Sequence, residues 1–303
     1  MWLHPSVLRG RALPDSLSGR LAERLSPAQR ERVGEWLPGA VFVRDHSWGL
    51  TGTVVLEAVV GPDRVIIKAA DESDGHLARE LRAHREWLGP WVAAGRAPQL
   101  LHADGDARVL VTQFIPGELV EGKAAEREIE TYRQAGALLA ALHGQLEVAD
   151  EGYWKQEQLG ALGWLDKEHR IDAEIETRLR SIVGSWPTPV SVLVPTHGDW
   201  QPRNWVTHEG VVSAIDFGRA ALRPAYTDLS RLSAQQFLRD PRLEDAFLEG
   251  YGSDPRDPEG WQRQRIREAI GTAVWAHQVG DADFEAQGHR MLAAALADEG
   301  KLA

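Results

Sequence analysis

Hydrophobic and polar residues alternate in short runs over the first third of the chain, a pattern typical of β-strands with one buried face. Strands are predicted over 41–46, 53–60, 64–69, 99–102 and 108–114. Between the third and fourth strands, apolar residues recur at helical spacing over 74–91. A helix is also predicted over 26–37, where Ser26 suits the N-cap and Pro27 the first helical position. The pattern therefore predicts a region of order β-β-β-α-β-β after an initial helix.

The pattern changes at Ile115-Pro116-Gly117, after which helical periodicity dominates. An amphipathic helix is predicted over 129–142 and ends at His143-Gly144, because glycine suits the position after a helix. Helices are also predicted within 150–185 and from 227 onward, with strands over 190–194 and 211–215. We therefore predict an α+β protein with an N-terminal extension (1–39), an N-lobe (40–116) and a C-lobe (117–303).

Composition excludes several classes of protein. The 303 residues are 43% hydrophobic and 26% charged, which is typical of a globular chain rather than a disordered or fibrous one. No apolar run approaches the ~18 residues of a transmembrane helix, and the N-terminus lacks the pattern of a signal peptide. We therefore expect a cytoplasmic protein with no membrane partner. The absence of cysteine excludes disulfides, thiolate nucleophiles and cysteine-based zinc sites.

The net charge of −11 argues against a nucleic-acid partner, because phosphate backbones are bound by basic surfaces. Residues 1–116 carry 14 basic and 14 acidic residues, and residues 117–303 carry 20 basic and 31 acidic ones. The whole excess of negative charge therefore lies in the predicted C-lobe.

The segment 190–220 contains the most informative chemistry. A predicted strand leads into His197-Gly198-Asp199, Asn204 follows five residues later, and the next strand leads into Asp216-Phe217-Gly218. Phosphoryl transfer requires a carboxylate to accept a proton and hard oxygen ligands to bind Mg²⁺, and these residues supply both. The alternative is a polar loop with an Asn-capped turn and a solvent-facing Asp.

His-x-Asp-x-x-x-x-Asn followed by Asp-Phe-Gly resembles the catalytic and metal-binding loops of the protein-kinase-like fold. His-Gly-Asp in place of His-Arg-Asp resembles the aminoglycoside phosphotransferase and choline kinase family in particular. This resemblance implies a bilobal fold, with an antiparallel sheet plus one helix in the N-lobe and a mainly helical C-lobe. It implies ATP (or GTP) and Mg²⁺ as cofactors, Asp199 as the catalytic base, and Asn204 and Asp216 as catalytic residues that bind the metal. His197 would orient the loop, and Asp228 would support it structurally.

The resemblance also assigns a nucleotide-binding lysine. Lys68, on the third predicted strand, would contact the α- and β-phosphates. Glu80, on the following helix, would pair with Lys68 in preference to Glu72 or Glu86. The alternatives are a snorkelling lysine at a sheet edge and a glutamate on a solvated helix face.

Two further segments match nucleotide-binding parts of the family. Ser47, Gly49 and Thr51 lie in a loop that would cradle phosphates through backbone N–H groups, although a tight hairpin turn explains this loop equally well. Gln113, Phe114 and Ile115 match the hinge, whose main chain would hydrogen-bond the purine.

The acceptor would bind to the C-lobe beside Asp199. Trp200 follows the catalytic aspartate directly, and Trp275 and Asp281 lie on a late segment that the family uses for an acceptor-site wall. An aromatic ring near carboxylates can stack on a sugar or hold an ammonium group. Core packing is the alternative for Trp275 and for the other aromatic residues.

Three functions compete on this sequence. The first is an ATP-dependent O-phosphotransferase acting on a small, amine-bearing and therefore cationic molecule such as an aminoglycoside antibiotic, which makes antibiotic resistance an expected role. The second is a kinase of another small alcohol, such as choline, homoserine or a nucleoside-type antibiotic. The third is a nucleotide-binding pseudokinase, which is disfavoured because Lys68, Asp199, Asn204 and Asp216 are all present. The protein would be a monomer or a homodimer.

Overall fold

The computed structural model describes residues 15–47, 52–72 and 74–299. The chain forms two compact units. The first comprises the described residues up to Gly117 together with Ser213–Arg219, and the second comprises Glu118–Val212 and the described residues from Ala220 onward. The predicted segment boundaries stay a prediction, and the structure adds that 213–219 groups with the first unit.

The first unit contains a five-stranded antiparallel sheet and four helices among its described residues. Two helices precede the sheet, α1 (Asp15–Ala22) and α2 (Pro27–Trp36). The strands are β1 (Val41–Asp45), β2 (Val54–Val60), β3 (Asp63–Ala69), β4 (Leu100–Asp104) and β5 (Val109–Gln113), in the spatial order β1-β2-β3-β5-β4. Helices α3 (His76–Glu86) and α4 (Gly89–Ala93) lie between β3 and β4 in the chain. The predicted order β-β-β-α-β-β is confirmed, while α1 was not predicted and the helix over 74–91 is divided in two.

Helix α2 begins as its sequence predicts and is anchored to the sheet. The Ser26 hydroxyl accepts a hydrogen bond from the Gln29 N–H, and the Gln29 side chain accepts one from the Ser26 N–H, which forms a capping box. The Gln29 amide also donates to the carbonyl oxygen of Ala70 at 3.0 Å. The residues before β1 also supply Leu25 and Val33 to the core of the first unit.

The second unit is mainly helical, as predicted. Its helices are α5 (Ile129–His143), α6 (Tyr153–Leu165), α7 (Ala173–Gly184), α8 (Ser230–Ala234), α9 (Gln236–Arg239), α10 (Pro241–Tyr251), α11 (Pro258–Val279) and α12 (Ala282–Glu299). Gly144 follows α5 as predicted but is not left-handed (φ −73°), whereas Gly252 and Gly280 end α10 and α11 with φ of 91° and 75°.

The segment that contains the His-Gly-Asp and Asp-Phe-Gly motifs is built on short strands. They are β6 (Glu118–Leu119), β7 (Val148–Asp150), β8 (Ser191–Thr196), β9 (Trp205–His208), β10 (Val211–Ala214) and β11 (Ala221–Arg223). Two three-stranded sheets result, ordered β10-β9-β6 and β11-β8-β7, and the chain passes from the second unit to the first within β10. The strands predicted over 190–194 and 211–215 are confirmed as β8 and β10. Among the helices of the described residues, none combines the length and apolar content that a membrane crossing requires.

Candidate active site

Lys68 and Glu80 form an ion pair inside the first unit. Lys68 Nζ donates hydrogen bonds to Glu80 Oε1 at 2.7 Å and to Oε2 at 3.0 Å. Both side chains are largely buried, with exposed fractions of 13% and 5%. The helical spacing of α3 puts Glu80 on the same buried face as Leu77 and Ala83, which explains why this glutamate pairs with the lysine of β3.

Asp216 completes a three-residue charge cluster with this pair. Lys68 Nζ donates to Asp216 Oδ1 at 3.2 Å, and the Asp216 side chain is 56% exposed. Burial alone would lower the pKa of Lys68, but the charges of Asp216 and Glu80 outweigh it and hold that pKa above its usual value. Burial and the nearby Asp216 raise the pKa of Glu80 against the attraction of Lys68. Two carboxylates around one ammonium leave an excess of negative charge, which favours the approach of a cation.

The Asp-Phe-Gly segment is fixed by its own packing within the first unit. Phe217 is fully buried and contacts the rings of His84 and Trp91, with centroids 5.7 and 5.9 Å away. The carbonyl oxygen of Gly218 accepts a hydrogen bond from Arg79 Nε at 2.9 Å. Directly before these two anchored residues, Asp216 adopts φ 65°, a left-handed conformation that is unfavourable for a non-glycine residue. Such conformations cluster at functional sites, and here it directs an exposed carboxylate beside Lys68.

The loop that begins at His197 is held by Asp228 from within the second unit. The Asp228 carboxylate is buried and accepts hydrogen bonds from the N–H groups of His197 at 2.8 Å and Gly198 at 2.6 Å. It also contacts His143 Nε2 at 3.1 Å. Burial acts to raise the pKa of Asp228, but the hydrogen bond and charge of His143 outweigh it and lower that pKa. Gly198 has φ 80°, so a residue with a Cβ would be strained at this turn.

Asp199 lies at the centre of a dense set of donors on the second unit and is 5% exposed. Its Oδ1 accepts a hydrogen bond from Gln201 Nε2 at 2.5 Å. Its Oδ2 accepts from Arg203 at 2.7 Å and from Asn204 Nδ2 at 3.0 Å. Asn204 Nδ2 also donates to the main-chain oxygen of Asp199 at 2.7 Å, so the Asn204 amide nitrogen is committed and its Oδ1 is the atom suited to a cation.

Two arginines beside Asp199 escaped the sequence analysis. Arg203 donates to Asp199 Oδ2, and Arg231 Nε lies 3.7 Å from Oδ1. The position of Arg203 between Asp199 and Asn204 in the chain is the only signal that could have found it. Arg231 comes from α8, and nothing in the local pattern indicates that it approaches Asp199.

Trp200 is buried, contrary to the position expected from the sequence. We expected its side chain to be accessible because it follows Asp199, but the residue is fully buried. Its ring packs against His197 and Trp205, with centroids 5.2 and 5.3 Å away. The indole therefore supports the loop from the interior of the second unit.

The other two predicted acceptor residues lie at the junction of α11 and α12. Trp275 is partly buried and contacts the ring of Phe284 edge-on, with the ring centroids 5.9 Å apart. This contact favours the alternative of core packing. Asp281 is exposed, and its carboxylate accepts a hydrogen bond from the Phe284 N–H at 3.0 Å. Asp281 therefore caps the start of α12, and an acceptor role for either residue stays a prediction.

The described residues include only some of the predicted nucleotide-binding residues. Gly49 and Thr51 lie outside the described residues, and the Ser47 hydroxyl accepts a hydrogen bond from the Val55 N–H at 2.9 Å. At the predicted hinge, the N–H of Gln113 donates to Gln99 and the N–H of Phe114 donates to Arg64. Neither N–H group is available to a purine, so the candidates that remain in this segment are the N–H of Ile115 and the main-chain carbonyl groups.

The predicted magnesium ligands are compatible with that ion in their chemistry. Among the described residues, no group of three or more His, Cys, Asp or Glu side chains could hold a metal. Mg²⁺, however, is usually held by one or two protein oxygen ligands together with substrate phosphates. The exposed carboxylate of Asp216 and the Oδ1 atom of Asn204 are hard oxygen donors of this kind.

Comparison with known families places this chain in one of them. The model of the phosphotransferase enzyme family (APH) matches residues 43–268. This range includes the Lys68 cluster, the Asp199 loop and Asp228. Among curated protein sequences, none matches this chain.

Several solved structures share the fold. Choline kinase LicA from Streptococcus pneumoniae is 15% identical, with a TM-score of 0.63 over 89% of this chain and 97% of that chain. A thermostable mutant of aminoglycoside phosphotransferase APH(4)-Ia, in a ternary complex with AMP-PNP and hygromycin B, is 13% identical, with a TM-score of 0.65 over 90% and 98%. Macrolide 2'-phosphotransferase MphH from Brachybacterium faecium is 16% identical, with a TM-score of 0.54 over 92% and 98%. The two-unit architecture of this chain is therefore that of small-molecule phosphotransferases with the protein-kinase-like fold.

Proposed function

Because the chain belongs to the phosphotransferase enzyme family, we propose that it transfers the terminal phosphoryl group of ATP, or of GTP, to a hydroxyl group of a small molecule. The observation that carries this proposal is the cluster of Lys68, Glu80 and Asp216. A lysine held by a buried glutamate, next to an exposed carboxylate, suits the binding of nucleotide phosphates together with a cation.

Each residue of this cluster has a distinct part in the proposed reaction. Lys68 neutralises charge on the phosphates, and Glu80 keeps its ammonium group in position. Asp216 is proposed as a ligand of Mg²⁺, and so is Asn204 of the second unit; the ion, when bound, would neutralise negative charge on the phosphate oxygens. The pKa of Lys68 is raised, so its charge is present throughout the physiological range.

Asp199 is the proposed base of the transfer. The acceptor's hydroxyl oxygen forms a bond to the terminal phosphorus, and the bond from that phosphorus to the bridging oxygen breaks. The hydroxyl proton passes to the Asp199 carboxylate, and the nucleoside diphosphate leaves with the bonding electron pair. The hydrogen bonds from Gln201 and Asn204 fix the orientation of this carboxylate.

The acceptor is proposed to carry an amine. The excess of acidic residues in 117–303 supports this preference, because carboxylates attract and orient cationic ligands. An aminoglycoside is the first candidate. Other small alcohols, such as choline, homoserine or a nucleoside-type antibiotic, are the alternative.

A coupled assay of ADP release tests the proposal. Aminoglycosides, nucleoside-type antibiotics, choline and homoserine are offered in turn with ATP and Mg²⁺. We expect at least one hydroxylated amine to stimulate ADP release, and the phosphorylated product is then identified by mass spectrometry. A protein that binds ATP but never releases ADP with any acceptor would instead be a pseudokinase.

Two variants assign the role of Asp199. Asp199→Asn keeps the shape of the side chain but cannot accept the proton, so the turnover rate is expected to fall by about 10²–10⁴-fold. ATP should still stabilise this variant against heat. Asp245→Asn, which changes an exposed carboxylate on α10, is the matched control and should keep the wild-type rate. Full activity of Asp199→Asn would refute the proposed base.

A further inference from the structure

Arg203 and Arg231 approach opposite oxygens of the same carboxylate. Arg203 donates a hydrogen bond to Asp199 Oδ2 at 2.7 Å, and Arg231 Nε lies 3.7 Å from Oδ1. Asn204 shares Oδ2 with Arg203, whereas Gln201 shares Oδ1 with Arg231. The two guanidinium groups therefore approach different oxygens of the proposed catalytic base, and all of these residues belong to the second unit.

Arg231 makes the weaker of the two arginine contacts to Asp199. The Asp199 carboxylate accepts a hydrogen bond from Arg203, whereas Arg231 approaches it only as a long ion pair. Arg231 is only 24% exposed, and within the described ranges its single polar contact is the 3.7 Å approach to Asp199, which is too long for a hydrogen bond. A guanidinium has five N–H donors, so a long ion pair leaves Arg231 able to bind a further anionic oxygen.

We propose that Arg203 and Arg231 form an oxyanion-binding pair beside Asp199, an assignment that rests on the proposed phosphotransferase function. The guanidinium fork matches the geometry of phosphate and carboxylate oxygens, and an anion here would accept the hydrogen bonds that Arg231 does not donate to Asp199. The anionic oxygens come either from the phosphoryl group in transfer or from an anionic group on the acceptor. In the first case the pair stabilises charge that develops in the transition state, and in the second it selects acceptors that carry an acidic group.

Binding of inorganic phosphate tests the pair without knowledge of the acceptor. Isothermal titration of the full-length chain with phosphate is compared with potassium chloride at the same ionic strength. We expect saturable phosphate binding by the wild type and a dissociation constant at least about tenfold higher in Arg231→Met. Arg231→Lys keeps the charge but not the fork, so we expect its dissociation constant to lie between these two values. Arg290→Met removes an exposed arginine of α12 and should bind phosphate as the wild type does.

A second arm of the titration identifies the source of the anion. If the pair binds the phosphoryl group in transfer, saturating AMP-PNP with Mg²⁺ should abolish phosphate binding, because the terminal phosphate of the analogue occupies the pair. If the pair binds the acceptor, phosphate should bind equally well with AMP-PNP present.

Two results would refute the proposed binding of an oxyanion by Arg203 and Arg231. They are equal phosphate affinity in Arg231→Met and wild type, and no phosphate binding beyond the chloride control. Failure of the proposed function is seen separately, because it removes acceptor-stimulated ADP release while the phosphate titration is unchanged.

Discussion

His84 on α3 is a buried imidazole whose protonation should weaken the fold. Both ring nitrogens are inaccessible and make no hydrogen bond to any described residue. Burial, together with the positive charge of Lys68, lowers the pKa of His84 to about 4. The imidazole is therefore neutral in the folded protein at pH 7 and packs edge-on against Phe217.

This lowered pKa predicts a loss of stability in acid. In the unfolded chain a histidine has a pKa of about 6.5, so between pH 6.5 and 4 only the unfolded state binds the proton. The contribution of His84 is complete above pH 6.5, and up to about 3 kcal/mol is lost as the pH falls to 4. Urea unfolding, followed by tryptophan fluorescence, should show a smaller loss between pH 7 and 4 in His84→Leu than in the wild type. His208→Leu, an exposed control, should follow the wild type, and identical pH dependence in all three proteins would contradict the prediction.

Which site residues the sequence could predict depends on how local their signals are. Lys68, Glu80 and the His197 loop lie in patterns that a few neighbouring residues define, and the structure brings Lys68, Glu80 and Asp216 together. Trp200 was misplaced because adjacency to Asp199 does not say which way a side chain points. Arg231 was missed because only the tertiary fold brings it to Asp199.

Helices α5 and α10 approach each other through two glycines. A Cβ on Gly136 would lie 2.1 Å from the carbonyl oxygen of Phe247, and one on Gly250 would lie 1.9 Å from that of Arg133. Neither carbonyl can move without disturbing its own helix. The helix pair also positions the loop at Asp199, because Tyr251 on α10 contacts His143 Nδ1 at 2.8 Å and His143 contacts Asp228.

Gly250→Ala should therefore separate the two helices. We expect the free energy of unfolding to fall by about 1–3 kcal/mol, since an added methyl group has to displace backbone. Gly160→Ala on the exposed face of α6 is the control, because its Cβ would meet nothing within 4 Å. Alanine has the higher helix propensity, so this control should leave stability unchanged or raise it by about 0.5–1 kcal/mol. Chemical denaturation compares the two variants, and equal stability would contradict the close packing of α5 against α10.

Helices and strands could be predicted from the sequence where they bury residues at a regular spacing. The β-branched run of β2 and the helical spacing of α5 repeat over several residues, and both elements match their predicted ranges closely. Strands β6, β7 and β11 have only two or three residues, which is too few to show a periodicity. They form because neighbouring strands supply their hydrogen-bond partners. The end of α3 was missed because Trp87 and Leu88 continue the apolar stripe beyond it.

At the scale of the whole molecule, the first unit is discontinuous in the sequence. The segment 213–219 returns to it after nearly one hundred residues of the second unit, and it supplies Phe217 to the packing around His84. It also supplies Asp216 to Lys68. The charge cluster proposed for nucleotide binding therefore forms only after the chain has passed through β9 and β10. No short stretch of sequence shows that the cluster depends on residues so far apart in the chain, although the order of the motifs is compatible with it.

The uneven distribution of charge predicts how activity responds to salt. If the acceptor carries amines, the excess of carboxylates in 117–303 attracts it over distances comparable to the Debye length, about 10 Å at 0.1 M salt. The value of kcat/KM for an amine-bearing acceptor should then fall several-fold as sodium chloride is raised from about 0.02 to 0.3 M. A variant in which exposed Glu147, Glu151 and Glu174 are replaced by Gln should show a shallower dependence and little change in kcat at high salt. Steady-state ADP release over a salt series measures both effects. A kcat/KM that does not depend on salt, or that rises with it, would show that the negative charge does not recruit the acceptor, and it would favour an acceptor that carries its own anionic group.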